Sequence, residues 1–199
     1  MRAIDLSSGT RDLLAPVCGG CTWWLTAPGA GGGTQTRLDW EREAEAEAGF
    51  FGRALLEDDA VIGWMHAAAA RLVRRAHSLP AGPPSQDAYV LACAYFYDED
   101  YLRGFQFLLQ ELEASLKHRR VAALEAFGLR RKGQADPFRG YIRELNLFHP
   151  DVLEGGGFRR VQSSGEITRF RLDLAALVEA PRRSVAWERV EAPAAAQPI

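Results

Sequence analysis

The sequence predicts an α/β domain built on a mixed, mostly antiparallel sheet flanked by helices. Three observations predict it. Residues 88–128 read as strand, turn, helix and strand, a βαβ unit of normal size that makes one parallel pair. Residues 50–67 read as a hairpin, with FFGRALL and AVIGWMHA as strands around Glu57, Asp58 and Asp59. Residues 158–174 read as a second hairpin, FRRVQSS and ITRFRLDL turning at Ser164 and Gly165.

The remaining elements follow in chain order. Residues 3–15 predict a short strand and a helical turn capped by Ser or Thr. The run Gly31, Gly32, Gly33 predicts a loop. Residues 36–48 predict a helix, with Thr36 or Asp39 as caps. Its alternating Glu and Ala residues make a polar face, and Leu38 and Trp40 face inward. The apolar, aromatic run from Ala88 to Tyr97 follows a loop rich in Pro, Gly and Ser, as a buried strand does. From Phe105 the period changes: Phe105, Leu108, Leu109, Leu112 and Leu116 lie on one helical face. Lys117, His118, Arg119 and Arg120 close the helix, where cations suit the negative end of its dipole. Residues 121–128 are the return strand. Residues 129–140 are polar and predict a loop, and 141–148 a short helix or an irregular segment. Pro150 opens a short helix that Gly155, Gly156 and Gly157 end. The stretch 191–199 is rich in Ala and Pro, without periodicity, and predicts a disordered tail.

Composition bounds the function. At 199 residues the chain is long enough for one domain with a core, and 47% hydrophobic and 25% charged residues suit a soluble globular protein. A net charge of −2 argues against a general nucleic-acid binder. No window approaches 18 uncharged apolar residues, and no apolar run follows Arg2, so neither a membrane span nor a signal peptide is expected. Three cysteines make no disulfide framework, and a cytoplasmic location is the default.

The turn before the central helix carries chemistry. Arg103 and Gly104 stand at a helix start, where orphan N–H groups receive phosphate. Here the segment YLRGFQFLLQ, 101–110, resembles the central motif of the GNAT superfamily, the Gcn5-related N-acetyltransferases. In that family a strand leads into an Arg/Gln-x-x-Gly-x-Gly/Ala turn and a Leu-Leu pair on a helix. EGGGFRRVQ, 154–162, resembles the Gly-Phe entry to the family's sixth strand, and ITRFRLDL its last strand. The resemblance spans residues 50–174 and implies one GNAT-like domain over residues 1–190. It implies a strand end followed by a loop in residues 67–76, although their composition favours a helix. The turn here is about two residues shorter than the family's, with Phe105 near the position of a second Gly, where a bulky ring crowds a pyrophosphate.

The resemblance implies acetyl-CoA as co-substrate. The N–H groups of Arg103, Gly104, Phe105 and Gln106 would cradle its pyrophosphate. The main chain of Tyr95, Phe96 and Tyr97 would bond its pantetheine arm; three packed core aromatics are the other reading. The implied acceptor is a small-molecule amine or a peptide or protein amine. No nucleic acid or membrane partner is implied, and a homodimer is compatible.

Catalysis of acetyl transfer needs a base for the amine, and often an acid for the thiolate. The family often uses a Tyr four residues before the Gly of its Gly-Phe pair. That position is Leu153 here, which donates no proton. Tyr141, upstream, is the substitute if its loop folds back. Glu125, an ionisable residue on a buried strand, is the candidate base, and a carboxylate paired with an arginine is its other reading. Cys18 and Cys21 make a CxxC pair, but Cys93, His66, His77, His118 and His149 offer no second close pair, so no zinc is expected. The pair is read as a turn near Trp23 and Trp24 that shapes an acceptor pocket. The Arg71, Arg74, Arg75, His77 patch is read as solvated surface.

Overall fold

A computed structural model describes residues 1–97, 102–130 and 146–177 of the chain. Its seven strands form one sheet in the order β1-β2-β3-β4-β5-β7-β6. β1 spans Arg2–Leu6, β2 Gly52–Glu57, β3 Ala60–Ala69, β4 Ala88–Phe96, β5 Ala123–Leu129, β6 Arg159–Ser164 and β7 Ile167–Asp173. The pair β4 and β5 is parallel and the other pairs are antiparallel, the mixed sheet expected. Asp58 and Asp59 both take positive φ, 48° and 65°, the twist of a two-residue turn that matches a hairpin. Gly165, at φ 60°, turns the second hairpin.

Helices cover both faces. α1 (Pro16–Gly19) and α2 (Thr34–Ala48) belong to one side, α3 (Leu102–His118) and α4 (Pro150–Gly155) to the other. The core on the α2 side gathers Trp24, Trp40, Phe51, Trp64, Val90 and Phe127. On the α3 side, Phe105, Leu108, Leu109, Leu112 and Leu116 pack on Leu91, Leu124 and Phe170, the face their spacing predicts.

Several boundaries differ from expectation. α2 starts at Thr34 with Gly33 as N-cap, so neither Thr36 nor Asp39 caps it. Its polar face is also not all solvated: Arg37 and Glu41, 4% and 3% exposed, are buried as an i,i+4 ion pair. β3 runs to Ala69, and two 3₁₀ turns, Ala70–Leu72 and Arg74–Ser78, follow in place of a loop. α3 starts at Leu102 rather than Phe105, so Arg103 and Gly104 lie within its first turn. Residues 141–145 and the tail 191–199 lie outside the described residues.

Two irregularities shape the middle of the sheet. The β3–β4 register shifts between His66/Cys93 and Ala67/Leu91, which leaves Ala92 as an extra residue on β4, a β-bulge. Val90 and Ala92 face α2 before it, and Cys93 and Tyr95 face α2 after it. Just upstream, β4 and β5 pair only through Ala88↔Ala123, Tyr89↔Leu124 and Val90↔Glu125. Beyond Val90 the two strands part. Among the described residues no strand pairs with that edge of β4 past Val90. The facing edge of β5 is taken instead by Phe148, which accepts from Leu129 N–H at 2.8 Å and donates to Phe127 O at 3.0 Å.

Candidate functional site

The first turn of α3 presents Arg103 and Gln106 to solvent, while Gly104 and Phe105 face the core. Gly104 serves packing: a Cβ there would stand 3.1 Å from Leu55 Cδ2 and 3.2 Å from Phe96 Cε1, so its absence lets the helix settle on the sheet. Phe105 is buried against Phe96 and Phe148, with ring centroids 6.3 and 6.0 Å away. It therefore does not crowd a phosphate. The turn before it, residues 98–101, lies outside the described residues.

On the α2 side, over the point where β4 leaves β5, lies a cavity of about 30 Å³. The β4 bulge supplies Ala92 and Cys93 to its wall, β3 supplies His66, and α2 supplies Arg37 and Trp40. Cys18, Cys21, Trp24 and Leu25 close it from the segment before α2, and Asn146 from the segment before α4. The sequence scatters these groups. The fold brings all three cysteines and one histidine to the same wall. Among the described residues, however, no three His, Cys, Asp or Glu side chains are arranged to hold a metal ion.

A buried polar chain runs along this wall. Glu41 Oε2 accepts from Arg11 Nε at 2.7 Å, and its Oε1 accepts from Arg37 Nε at 2.7 Å. Arg37 Nη2 lies 2.8 Å from His66 Nε2. A guanidinium only donates, so Nε2 is the acceptor and the imidazole proton sits on Nδ1. That Nδ1–H points to Cys93 Sγ at 3.1 Å. Burial, and then the Arg37 charge, hold the His66 pKa well below 6.5, so the ring is neutral at pH 7. Burial likewise pushes the Cys93 thiol far up, which keeps it protonated. Arg37 itself stacks over Trp40, 4.7 Å from the ring centroid.

The aromatic end of β4 adjoins this wall. Trp64 and Tyr95 stack at 4.7 Å, and Tyr97, 58% exposed, meets both edge-on. Phe96 faces the opposite side, against Phe105.

Glu125 is fully buried, with both oxygens engaged. Ser85 N–H donates to Oε2 at 3.1 Å and Ser85 Oγ to Oε1 at 2.6 Å. Arg169 Nη1 donates to the two oxygens at 2.9 and 3.1 Å, and Arg171 adds a contact at 3.4 Å. This is the arginine-paired arrangement, and Glu125 is not among the residues lining the cavity. Leu153 is 0% exposed in the α3-side core. Tyr141 lies outside the described residues. Sequence reasoning missed Arg37, Glu41, His66 and Cys93 as a group. The one signal available was the i,i+4 spacing of Arg37 and Glu41.

The arrangement of strands and helices has counterparts. The ribosomal-protein-S18-alanine N-acetyltransferase of Escherichia coli superposes over 92% of this chain and 97% of its own, with a TM-score of 0.50 at 13% identity. The chain has the GNAT acetyltransferase fold. A ribosomal-protein-alanine N-acetyltransferase from Brucella melitensis matches 87% of this chain and 99% of its own, with a TM-score of 0.51 at 13% identity. The aminoglycoside 6'-N-acetyltransferase from Enterococcus faecium matches 91% and 99%, with a TM-score of 0.50 at 15% identity. No family model matches the sequence, and neither does any curated protein. Within this GNAT fold no helix among the described residues is long and apolar enough to cross a membrane.

Proposed function

We propose that this chain is an acyl-CoA-dependent N-acetyltransferase that moves an acetyl group from acetyl-CoA to a primary amine. The observation that carries the reading is the parting of β4 from β5 after three paired positions, at a bulge that borders a cavity. The β4 edge from Tyr95 to Tyr97 fits a pantetheine arm. The exposed first turn of α3, with Arg103, Gln106 and the N–H groups of Gly104 and Phe105, fits a pyrophosphate. The amine would attack the thioester carbonyl carbon, the C–S bond would break, and the amine would lose its proton. Positioning supplies much of such a rate, and a thiol of pKa about 8.5 leaves readily near neutral pH. Tyr141 is our candidate acid. Glu125 gives both oxygens to Ser85 and Arg169, so as a base it would first have to release one. Calorimetric titration with acetyl-CoA, followed by thiol release over a panel of amines, tests the proposal. Absence of acetyl-CoA binding would sink it. Tyr141→Phe should cost under tenfold in turnover if the thiolate leaves with a proton from water.

A second reading has its own observation. Phe148 occupies the β5 side of the opening, and Leu153 stands where the family often has its Tyr. A descendant that binds acyl-CoA without turnover, as a sensor or partner protein, fits both. Acetyl-CoA binding with no thiol release across the amine panel selects it.

A further inference from the structure

Acetyl transfer leaves the CxxC turn unused. Cys18 and Cys21 are thiols, and no disulfide joins them to each other or to Cys93. The main chain already closes their turn: Cys21 N–H donates to Cys18 O at 3.2 Å, and Gly20 N–H to Pro16 O at 3.3 Å. A turn bonded in this way holds its first and fourth Cα atoms within about 7 Å. A disulfide spans Cα separations of roughly 4.4–6.8 Å, so the backbone is set for one with little movement. The two residues between are glycines, with no side chain to intervene, and both cysteines contribute to the wall of the cavity at the β4 bulge.

The three thiols differ in access. α1 lies at the surface, with Val17 68% exposed and Cys18 and Cys21 partly exposed. Cys93 Sγ instead takes the His66 Nδ1–H at 3.1 Å, and burial keeps its thiol protonated. The thiolate is the form that attacks a disulfide, so Cys93 stays out of exchange and the surface pair reacts with itself. The pair is also tied to the far wall. Gly19 O, between the two cysteines, accepts from Arg11 Nη2 at 2.6 Å. Arg11 begins the buried chain that runs through Glu41 and Arg37 to His66 and Cys93.

We propose that Cys18 and Cys21 form a redox-active dithiol that closes by exchange with a low-molecular-weight disulfide, and that its state controls the amine side of the site. One cysteine thiolate attacks the S–S bond of the oxidant and releases one thiolate. The second cysteine thiolate attacks the mixed disulfide and releases the other. Two protein S–H bonds give way to one S–S bond, and the oxidant's S–S bond becomes two S–H bonds, the protons passing through solvent. The regulatory half rests on the acetyltransferase reading. The cavity lies on the α2 side, over the point where β4 leaves β5, whereas the first turn of α3 belongs to the other side. Closing the pair therefore alters the wall that faces the amine and leaves the phosphate turn as it was.

The dithiol half is tested on the full chain without coenzyme. Reduced protein is equilibrated in glutathione and glutathione disulfide, quenched with acid, alkylated and mapped by mass spectrometry. The expected product has lost two hydrogens, joins Cys18 to Cys21 and keeps Cys93 as a thiol. The oxidised fraction should follow the ratio of glutathione disulfide to the square of glutathione in one two-electron step, and dithiothreitol should reverse it. Cys93→Ser should behave as the natural chain does, whereas Cys18→Ser and Cys21→Ser should stop at a mixed disulfide with glutathione. A natural chain that alkylates at all three cysteines after this treatment, stops at the mixed disulfide, or joins Cys93 to either partner overturns the proposal.

The regulatory half is read by comparing the two forms. They should bind acetyl-CoA equally and differ by at least about threefold in KM for an acetylated amine. Equal KM values, or a difference in acetyl-CoA affinity instead, overturn the regulatory half and leave the dithiol and the acetyltransferase reading standing. A chain that forms the disulfide but binds no acetyl-CoA removes the acetyltransferase reading, and the regulatory half with it, and leaves the dithiol.

Discussion

Replacing Glu125 by Gln tests the buried centre of the sheet. The carboxylate accepts two bonds from Arg169 Nη1, one from Ser85 Oγ and one from Ser85 N–H, and Arg169 is itself buried with Nε committed to Ala81 O. An amide at position 125 keeps one acceptor oxygen but turns N–H donors toward Ser85 or Arg169. Breaking one side of a buried pair costs roughly 3–5 kcal/mol. The retained oxygen argues for the lower end, about 3 kcal/mol. For a domain of this length that corresponds to a fall in Tm of about 6–12 °C. Arg171 suffers less, because Asp87 and Asp173 still hold it. Thermal and urea unfolding at pH 7 read the effect. Glu125→Leu combined with Arg169→Met should recover at least half of the loss, because both charges then leave the core together. A cost below about 1 kcal/mol for Glu125→Gln would show that the pair is not the constraint described here. The same variant separates structure from chemistry. Turnover per folded molecule should change by less than a few-fold, whereas a loss of about 10²-fold or more would identify Glu125 as a general base.

Three further outcomes are expected. Arg103→Ala should weaken coenzyme A binding at low ionic strength, with the difference shrinking as salt screens the charge; equal affinity at low salt removes Arg103 from the phosphate site. Burial raises the Glu113 carboxyl from 4.5 to about 7, so between those values the folded chain keeps a proton that the unfolded chain has lost. Stability should therefore fall as pH rises from about 4.5 to about 7, and Glu113→Gln should flatten that fall and be the more stable form above pH 7, read as Tm against pH. Leu153→Tyr, which would restore the family's acid, should instead destabilise the fold by about 1–3 kcal/mol, because Leu153 is fully enclosed; unchanged urea unfolding would contradict that packing.

The sequence carried the sheet, the crossover helix and both hairpins because each is a local pattern: the apolar face from Phe105 to Leu116, the Asp58–Asp59 turn, the Gly at 165. The candidate cavity was not local. Its wall joins residue 18 to residue 146 through five separate segments, and nothing in the periodicity of any one of them registers the others. Three positions were actively misleading. Arg37 and Glu41 look like members of a solvated helix face, since charge is read as exposure unless a partner is visible, and the partners Arg11 and His66 are remote. Phe105 looked like an obstacle to phosphate because a side chain's direction depends on where the helix begins, and α3 begins three residues earlier than its apolar period announces.

The single extra residue in β4 has a consequence for how this chain can vary. Alternation along a strand is a two-state counter, and the extra residue holds it for one step: Ala92 and Cys93, neighbours in sequence, both look toward α2. Removing Ala92 would restore plain alternation, with Leu91 and Ala94 still toward α3 and Cys93 and Tyr95 still toward α2. The bulge is therefore a place where the strand can lose a residue without turning over. A related chain one residue shorter at this point keeps its aromatics on their present faces and gives up only the doubled wall that Ala92 and Cys93 present to the cavity.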